Sequence, residues 1–385
     1  MGALHDASAA YYGDEILKRI KSADADFKQI FSTTIYRTGD WEWPRPDYVC
    51  YDDVLNETYA LEFKPPFQSK REYLTGLGQS LSYLQKHAYS GLIVPYTSDD
   101  GFRIAEFISD TLKAPEFLGI PTSLYAYDHK KRSVEILRPI ETTRSIASTA
   151  LKGDNARTFW CWWRDLSHYE LFDLLNLSFL YSENSGDIYT QYIYPEFYNM
   201  MVSGKTKQWD GTPRRKMAST ASMKAEKQNY NIPLVQLDLW SRGEGRLTQA
   251  GYELLEIGKM YGPDSKKFLD RLGYLILVDG KHLELINSVN AFQKNTTLIP
   301  AKSSDYVVEL EKYLTDNGSI GKRKPTAVTT GKKISYIRDE PKLWNKLGLV
   351  ELKSKTSYFF PNEGYHFDWE RITDILVNGT SEKKG

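Results

Sequence analysis

The fold is predicted from Pro46-Asp47, followed fourteen residues after Asp47 by Leu61-Glu62-Phe63-Lys64-Pro65. The run that leads into Lys64 alternates like a strand, so Glu62 and Lys64 are predicted to project from the same face. Asp47 is predicted to begin the preceding strand, with a polar turn between the two. Two carboxylates and an ammonium at neighbouring strand ends suit a hard metal ion and a phosphodiester, because carboxylate oxygens hold Mg²⁺ while it keeps most of its waters.

A predicted amphipathic helix follows the Lys64 strand at a short interval, in Gly78-Gln79-Ser80-Leu81-Ser82-Tyr83-Leu84. Gln79 and Tyr83 are four residues apart and therefore share one face of that helix. The simpler alternative is that Glu62 and Lys64 form a surface ion pair beside an ordinary helix. The order of the four elements favours a site over that alternative.

The pattern Pro-Asp…Glu-x-Lys with a following Gln-x-x-x-Tyr helix resembles the PD-(D/E)xK nuclease superfamily, to which most type II restriction endonucleases belong. The resemblance covers the catalytic motif within roughly the first 130 residues and is otherwise one of architecture. It implies that Asp47 and Glu62 bind Mg²⁺ together with the backbone carbonyl of Phe63. It also implies that Lys64 positions or deprotonates the attacking water, and that Gln79 holds a ligand or the phosphate.

The resemblance also implies a role for the first helix, which the sequence predicts over residues 6–23. In this superfamily that helix often carries an acidic residue that points at the metal site. Glu15 is the candidate and Asp14 is the alternative, whereas both acids are also consistent with a solvated helix face.

Composition limits the class of protein. The chain has 385 residues, which suggests two or three domains, and 41% of them are hydrophobic against 26% charged, as in a soluble globular protein. No apolar run approaches the length of a membrane span, and the N-terminus lacks a signal-peptide pattern. Two cysteines, Cys50 and Cys161, exclude a cysteine-based metal site and fit a reducing compartment, so we expect a cytoplasmic protein.

Charge is unevenly distributed along the chain. The first 150 residues hold 17 Lys and Arg against 21 Asp and Glu, and the whole chain is neutral, so the remainder is basic. DNA affinity is therefore expected mostly from the second half, where phosphates would attract cations. Residues 204–227 are predicted to form a mobile basic arm, with a plain linker as the alternative. The candidate DNA-binding residues are Lys205, Lys207, Arg214, Arg215 and Lys216 in this arm, and Lys322, Arg323, Lys324, Lys332 and Lys333 further on.

The predicted element order in the first 150 residues is helix, three strands, helix, strand, helix, strand, with a hairpin over residues 128–140. This order predicts an α/β fold, a mixed sheet flanked by helices like that of restriction endonucleases. The catalytic domain is therefore assigned to residues 1–150. Residues 151–229 are assigned to a helical connector with a basic loop.

Two α+β modules resembling winged helices are predicted over residues 230–300 and 301–385. Each is expected to run from helices into a two-stranded hairpin: residues 275–286 around Asp279-Gly280, and residues 349–360 around Lys353-Ser354-Lys355. Winged helices usually place a helix in the major groove of DNA, although some dock proteins instead.

Together these features predict a Mg²⁺-dependent, sequence-specific endonuclease that hydrolyses phosphodiester bonds of double-stranded DNA, as type II restriction enzymes do. The resemblance implies a homodimer, and a cognate DNA methyltransferase that is a companion rather than a stable subunit. The alternatives are a methylation-dependent nuclease, a repair or structure-directed nuclease, and a catalytically dead DNA-binding regulator.

Overall fold

A computed structural model describes residues 2–27, 29–41, 44–144, 158–163, 166–216, 220–241, 244–321, 336–337, 339–354 and 357–380. The chain divides into two compact units. The first comprises Met1–Phe159 and Leu314–Ala327, and the second comprises Trp160–Tyr313 and Val328–Gly385. The first unit thus extends past the predicted domain boundary at residue 150 and includes a later segment of the chain.

The first unit is built on one mixed sheet. Its elements are α1 (Gly2–Lys21), β1 (Ile35–Thr38), β2 (Tyr48–Asp52), β3 (Glu57–Phe63), α2 (Lys70–Tyr83), β4 (Tyr89–Pro95), α3 (Ile104–Leu112), a 3₁₀ turn (Pro115–Phe117), β5 (Thr122–Asp128) and β6 (Ser133–Arg138). The strands lie side by side in chain order. The pairs β1–β2, β2–β3 and β5–β6 are antiparallel, whereas β3–β4 and β4–β5 are parallel. The predicted mixed α/β class is confirmed.

Each face of the sheet is covered by helices. α1 packs on the face that carries Tyr59, Leu61 and Phe63, in a core rich in aromatic side chains. α2 and α3 pack on the opposite face, over a core that includes Leu92 and Leu124. The central strands β3 and β4 are buried along their whole length, as expected for a sheet covered on both sides.

The second unit is mainly helical within its described part. Its helices are α4 (His168–Leu180), α5 (Tyr194–Ser203), α6 (Thr220–Gln236), α7 (Gln249–Tyr261), α8 (Lys266–Tyr274), α9 (His282–Asn295), α11 (Glu340–Lys346) and α12 (Trp369–Asn378), with π-helical turns at Tyr189–Ile193 and Leu275–Asp279; α10 (Ser303–Asp316) runs across the boundary between the units. No helix in the described ranges is long and apolar enough to cross a bilayer.

The hairpin predicted over residues 275–286 is wrong, because the chain there is a π-helical turn followed by α9. A two-residue Asp-Gly hairpin needs a positive φ at both central residues. Here Gly280 has φ −78°, and the positive φ of 57° lies one residue later, at Lys281. Leu275, Ile276 and Leu277 are therefore buried on a helical turn. Short apolar runs of this kind do not distinguish a buried strand from a buried helix in sequence.

The hairpin predicted for the last module is present only in part among the described residues. Ser354 and Ser357 exchange both backbone hydrogen bonds, at 3.1 and 3.3 Å. No bridge joins residues 349–352 to residues 357–360 in the described part of this module, and Val350 forms an isolated bridge with Phe367. The winged-helix assignment of this module stays a prediction.

The predicted basic arm is folded where the structure describes it. Lys207 and Pro213 bridge to close a short hairpin, and α6 begins at Thr220. Arg214 directly follows this hairpin, and its guanidinium is bonded to the buried carboxylate of Glu170. The described residues of this segment are therefore neither a mobile arm nor a plain linker.

A buried imidazole in the second unit makes its stability depend on pH. His282 Nδ1 accepts a hydrogen bond from Trp344 Nε1 at 3.0 Å, so Nε2 carries the proton and donates to the Cys161 carbonyl at 2.7 Å. Burial lowers the pKa of His282 from 6.5 to about 4, although the bond to Cys161 opposes the change. The folded state thus excludes a proton that the unfolded chain binds.

We expect the free energy of unfolding to fall as pH drops from about 6.5 to 4, because only the unfolded chain gains a proton in this window. Replacement of His282 by Gln, which keeps polar atoms but does not titrate, should flatten that slope. Urea unfolding at several pH values checks this, and equal slopes in the native chain and in His282→Gln would contradict it.

Candidate active site

Strand pairing brings the two predicted carboxylates together at one end of the sheet. In the antiparallel pair β2–β3, Tyr48 lies opposite Leu61, so one step beyond it Asp47 faces Glu62. The Asp47 carboxylate is fixed there because Oδ2 accepts a hydrogen bond from the backbone N–H of Phe63 at 2.8 Å. The acid is therefore tied to the main chain of the strand that carries Glu62.

Alternate side chains of β3 point to opposite faces of the sheet. Leu61 and Phe63 point into the core beneath α1, whereas Glu62 and Lys64 face the opposite side. Lys64 Nζ lies 2.8 Å from Glu62 Oε1, and the two side chains are only 9% and 4% exposed. The predicted shared face is confirmed, and the alternative of a pair on the surface is wrong, because both charges are buried.

α2 supplies a partner to each member of this ion pair. Gln79 Oε1 accepts a hydrogen bond from Lys64 Nζ at 2.9 Å. One turn further on, the Tyr83 hydroxyl donates to Glu62 Oε2 and also lies 3.2 Å from the carbonyl oxygen of Arg45. The two residues predicted to share a helix face thus fix the orientation of both charged groups.

A glycine on α2 makes room for the lysine. A Cβ built at Gly76 would lie 2.5 Å from Lys64 Cε and 2.9 Å from its Cγ, closer than non-bonded carbon atoms approach. The aliphatic stem of Lys64 therefore runs directly beneath the helix at this point. No described atom lies within 4 Å of a Cβ built at Gly78, on the exposed side of the same helix.

His5 is a residue of this site that sequence reasoning missed. Its Nε2 lies 3.0 Å from the carbonyl oxygen of Phe63 and 3.7 Å from Asp47 Oδ2, and its Nδ1 lies 3.1 Å from Asp6 Oδ1. Burial lowers the pKa of His5, but the carboxylates of Asp6 and Asp47 outweigh burial and raise it to about 9. The imidazole is therefore charged at neutral pH and offsets the two acids.

The two acids proposed from α1 have other contacts. Glu15 Oε1 pairs with Lys18 Nζ at 2.5 Å, and Asp14 accepts a hydrogen bond from the Tyr48 hydroxyl at 2.6 Å. Glu15 lies ten residues after His5 on the same helix, a separation of about 15 Å along the axis. No described contact joins Glu15 to Asp47, Glu62 or Lys64, whereas α1 does bring His5 to Asp47 and the Phe63 carbonyl.

The negative charge of Glu62 is unfavourable in this site. Burial raises the pKa of Glu62, the charge of Asp47 raises it further, and Lys64 and Tyr83 oppose the rise. Both effects that raise the pKa of Glu62 have the same cause: two carboxylates are held close together and away from water. A divalent cation between them would relieve that repulsion.

The donor set fits magnesium. No group of three His, Cys, Asp or Glu side chains within the described ranges is arranged to enclose an ion. The Asp47 and Glu62 carboxylates with the Phe63 carbonyl are nevertheless three oxygen donors, and Mg²⁺ commonly takes one or two carboxylates and fills its other positions with water. The soft ligands that would favour zinc are missing from this set.

The predicted DNA-binding residues are only partly described. Arg214 is tied to Glu170, Lys216 pairs with Glu226, and Lys207 lies 5.2 Å from the centre of the Tyr169 ring. Lys205 is exposed, and the side chain of Arg215 lies against Gly204. Lys322, Arg323, Lys324, Lys332 and Lys333 lie outside the described residues.

Comparison with known proteins adds no second line of support. Neither a scan against models of protein families nor a search of the curated proteins finds a match to this chain. The site is therefore defined by its geometry and chemistry alone.

The two glycines of α2 provide a direct test of that geometry. Gly78→Ala should stabilise the protein by about 0.5–1 kcal/mol, because alanine is the better helix former at an exposed position. Gly76→Ala should instead destabilise it by about 1–3 kcal/mol, because its Cβ displaces Lys64. Urea unfolding of the two variants measures both values. Equal stabilisation by the two alanines would show that Lys64 does not lie beneath Gly76.

Proposed function

We propose that the first unit is a Mg²⁺-dependent nuclease that hydrolyses phosphodiester bonds of DNA. The observation that carries the proposal is the buried Glu62–Lys64 pair at the end of β3, held by Gln79 and Tyr83 and faced by Asp47. Replacing a buried ion pair by apolar residues is often neutral or stabilising, so such a pair is weak support for a purely structural role. A catalytically dead binding module would have no use for it.

Asp47, Glu62 and the Phe63 carbonyl would hold the metal ion. When bound, Mg²⁺ supplies Lewis-acid stabilisation of the charge that develops on the phosphate and lowers the pKa of water. Asp47 is held in place by the Phe63 N–H, and Glu62 by the Tyr83 hydroxyl, so neither acid needs to reorganise.

Lys64 would orient the attacking water and offset the negative charge of the transition state. Its ammonium donates to Glu62 and Gln79, and a third N–H is left for a water or a phosphate oxygen. Gln79 would keep this third donor aimed at the reacting phosphate. Attack in line with the leaving oxygen is the expected course of the hydrolysis.

A more specific form of the proposal is a type II restriction enzyme. Such a protein would be a cytoplasmic homodimer that cleaves double-stranded DNA at a specific sequence. The basic balance of the chain after residue 150 supports a DNA-reading role for the second unit. The module after residue 301 would take part as a winged-helix-like element. Methylation-dependent and repair nucleases would use the same catalytic residues, because those residues meet only phosphate.

Cleavage of phage DNA by the purified full chain tests the proposal. We expect cutting with Mg²⁺ or Mn²⁺, and none with EDTA or with Ca²⁺ alone, which should support binding only. Asp47→Ala, Glu62→Ala and Lys64→Ala should each lower the cleavage rate by about 100-fold or more while DNA binding in Ca²⁺ persists. Gln79→Ala should lower it by roughly tenfold, because Gln79 acts by positioning Lys64.

Lys70→Ala is the matched control, since Lys70 lies close in the chain and its side chain is 58% exposed. Among the described residues it forms an ion pair only with the exposed Asp100, and it also lies over the ring of Phe102. A second comparison separates the two candidates on α1: His5→Ala should slow cleavage, whereas Glu15→Ala should not. Near-native cleavage by Lys64→Ala, or robust cutting in EDTA, would refute the mechanism. Discrete bands would support restriction, and a smear would support a non-specific nuclease.

A further inference from the structure

The second unit contains a cavity of about 230 Å³ with aromatic walls. Trp163, Trp209 and Tyr358 line it, together with the polar side chains of Asn345 and Lys346. Its volume is small for a drug-sized pocket, so it suits one compact ligand rather than a peptide or an oligosaccharide. None of these residues belongs to the catalytic arrangement around Glu62 and Lys64.

The aromatic walls are held in place by their neighbours. Trp163 is buried, and its Nε1 donates to the carbonyl of Leu166 at 3.0 Å. Trp209 packs against His168, with 4.9 Å between the ring centres, and sits at the tip of the hairpin closed by Lys207 and Pro213. Preformed aromatic walls bind a flat ring at little cost in conformational entropy.

The polar side chains around the cavity fall into two groups. One group is already engaged: Asp339 pairs with Lys342 at 3.1 Å, and Arg214 bonds to Glu170. Asp210 and Gln208 also line the cavity and are both hydrogen-bonded to the hydroxyl of Thr212. Asn345, Lys346 and the Tyr358 hydroxyl make no side-chain hydrogen bond or ion pair in the part of the chain that the structure describes. The cavity therefore offers an amide, a hydroxyl and an ammonium to a ligand, and its three basic residues outnumber its two acids, Asp210 and Asp339.

This combination matches a nucleotide. A base presents a flat π-surface to Trp209 and Tyr358 and an edge of donors and acceptors that Asn345 can read, and its phosphate would suit Lys346. A purely apolar ligand would leave these polar groups unpaired on binding, which costs free energy. A carboxylate alone would make no use of the aromatic walls.

We propose that this cavity binds a single nucleobase that has left the stack of a DNA substrate, with its phosphate near Lys346. The proposal rests on the proposed function, which supplies DNA as the source of the nucleotide. Enzymes that take a base out of the stack read it by hydrogen bonds and by stacking on aromatic side chains. A free nucleotide is the other source of the same chemistry, and the experiment separates the two.

Fluorescence anisotropy of the full chain in Ca²⁺ tests the proposal on two duplexes of equal length, one fully paired and one with a single bulged nucleotide. An unpaired base is cheaper to extrude, so the native protein should bind the bulged duplex at least about tenfold more tightly. Trp209→Ala and Asn345→Ala should reduce this preference to less than about twofold. Trp209→Phe, which keeps a stacking ring, should retain most of it.

Trp369→Ala is the matched control, because Trp369 is a 43% exposed tryptophan of the same unit that does not line the cavity. It should keep the full preference. Equal binding of both duplexes by the native protein would overturn the proposal, and so would a preference that survives Trp209→Ala in a variant with native thermal unfolding. Competition by free deoxynucleoside monophosphates without a preference for the bulge would assign the cavity to free nucleotides and overturn the DNA source.

Lys64→Ala separates this inference from the nuclease proposal. It should abolish cleavage and leave the preference for the bulged duplex unchanged. If the native protein prefers the bulged duplex but never cuts DNA, the binding-site proposal stands and the nuclease proposal fails. If it cuts DNA but binds both duplexes equally, the nuclease proposal stands and the binding-site proposal fails.

Discussion

The ion pair between Glu62 and Lys64 is the interaction on which the site depends. Removing two charges from water costs several kcal/mol for each ion, and good geometry and further hydrogen bonds must offset that cost. Tyr83 and Gln79 provide those bonds from one helix face, and Gly76 provides the space for the lysine stem. The packing of α2 on β3 is thus constrained by a charged pair as well as by its apolar core.

The opposite face of β3 serves to pack the strand against α1. Its alternate residues, Leu61 and Phe63 among them, are buried in an aromatic core beneath α1, which fixes the strand by apolar packing. Because Asp47 bonds to the Phe63 N–H, the same rigid strand positions both acids. His5 then reaches the end of this strand from α1, so both layers of helices contribute to one cluster of charges.

Sequence patterns predicted the parts of the site that depend on local periodicity. Glu62 and Lys64 follow the two-residue repeat of a strand, and Gln79 and Tyr83 follow a helical turn. His5 could not be found in this way, because its role depends on where α1 crosses the sheet, which no spacing along the chain encodes. The Asp279-Gly280 turn failed for a related reason: tertiary packing kept Leu275–Val278 helical, and the sequence signal for a hairpin was overruled.

Asp47, Glu62 and the Phe63 carbonyl are proposed to form a site for a divalent cation. Manganese gives an anomalous X-ray signal and commonly replaces magnesium among oxygen ligands. A crystal of the full chain grown with Mn²⁺ should show an anomalous peak within about 2.5 Å of oxygens from all three residues, and Glu62→Gln should weaken it. A map with no peak between these oxygens, in a crystal where their positions are well defined, would contradict the account.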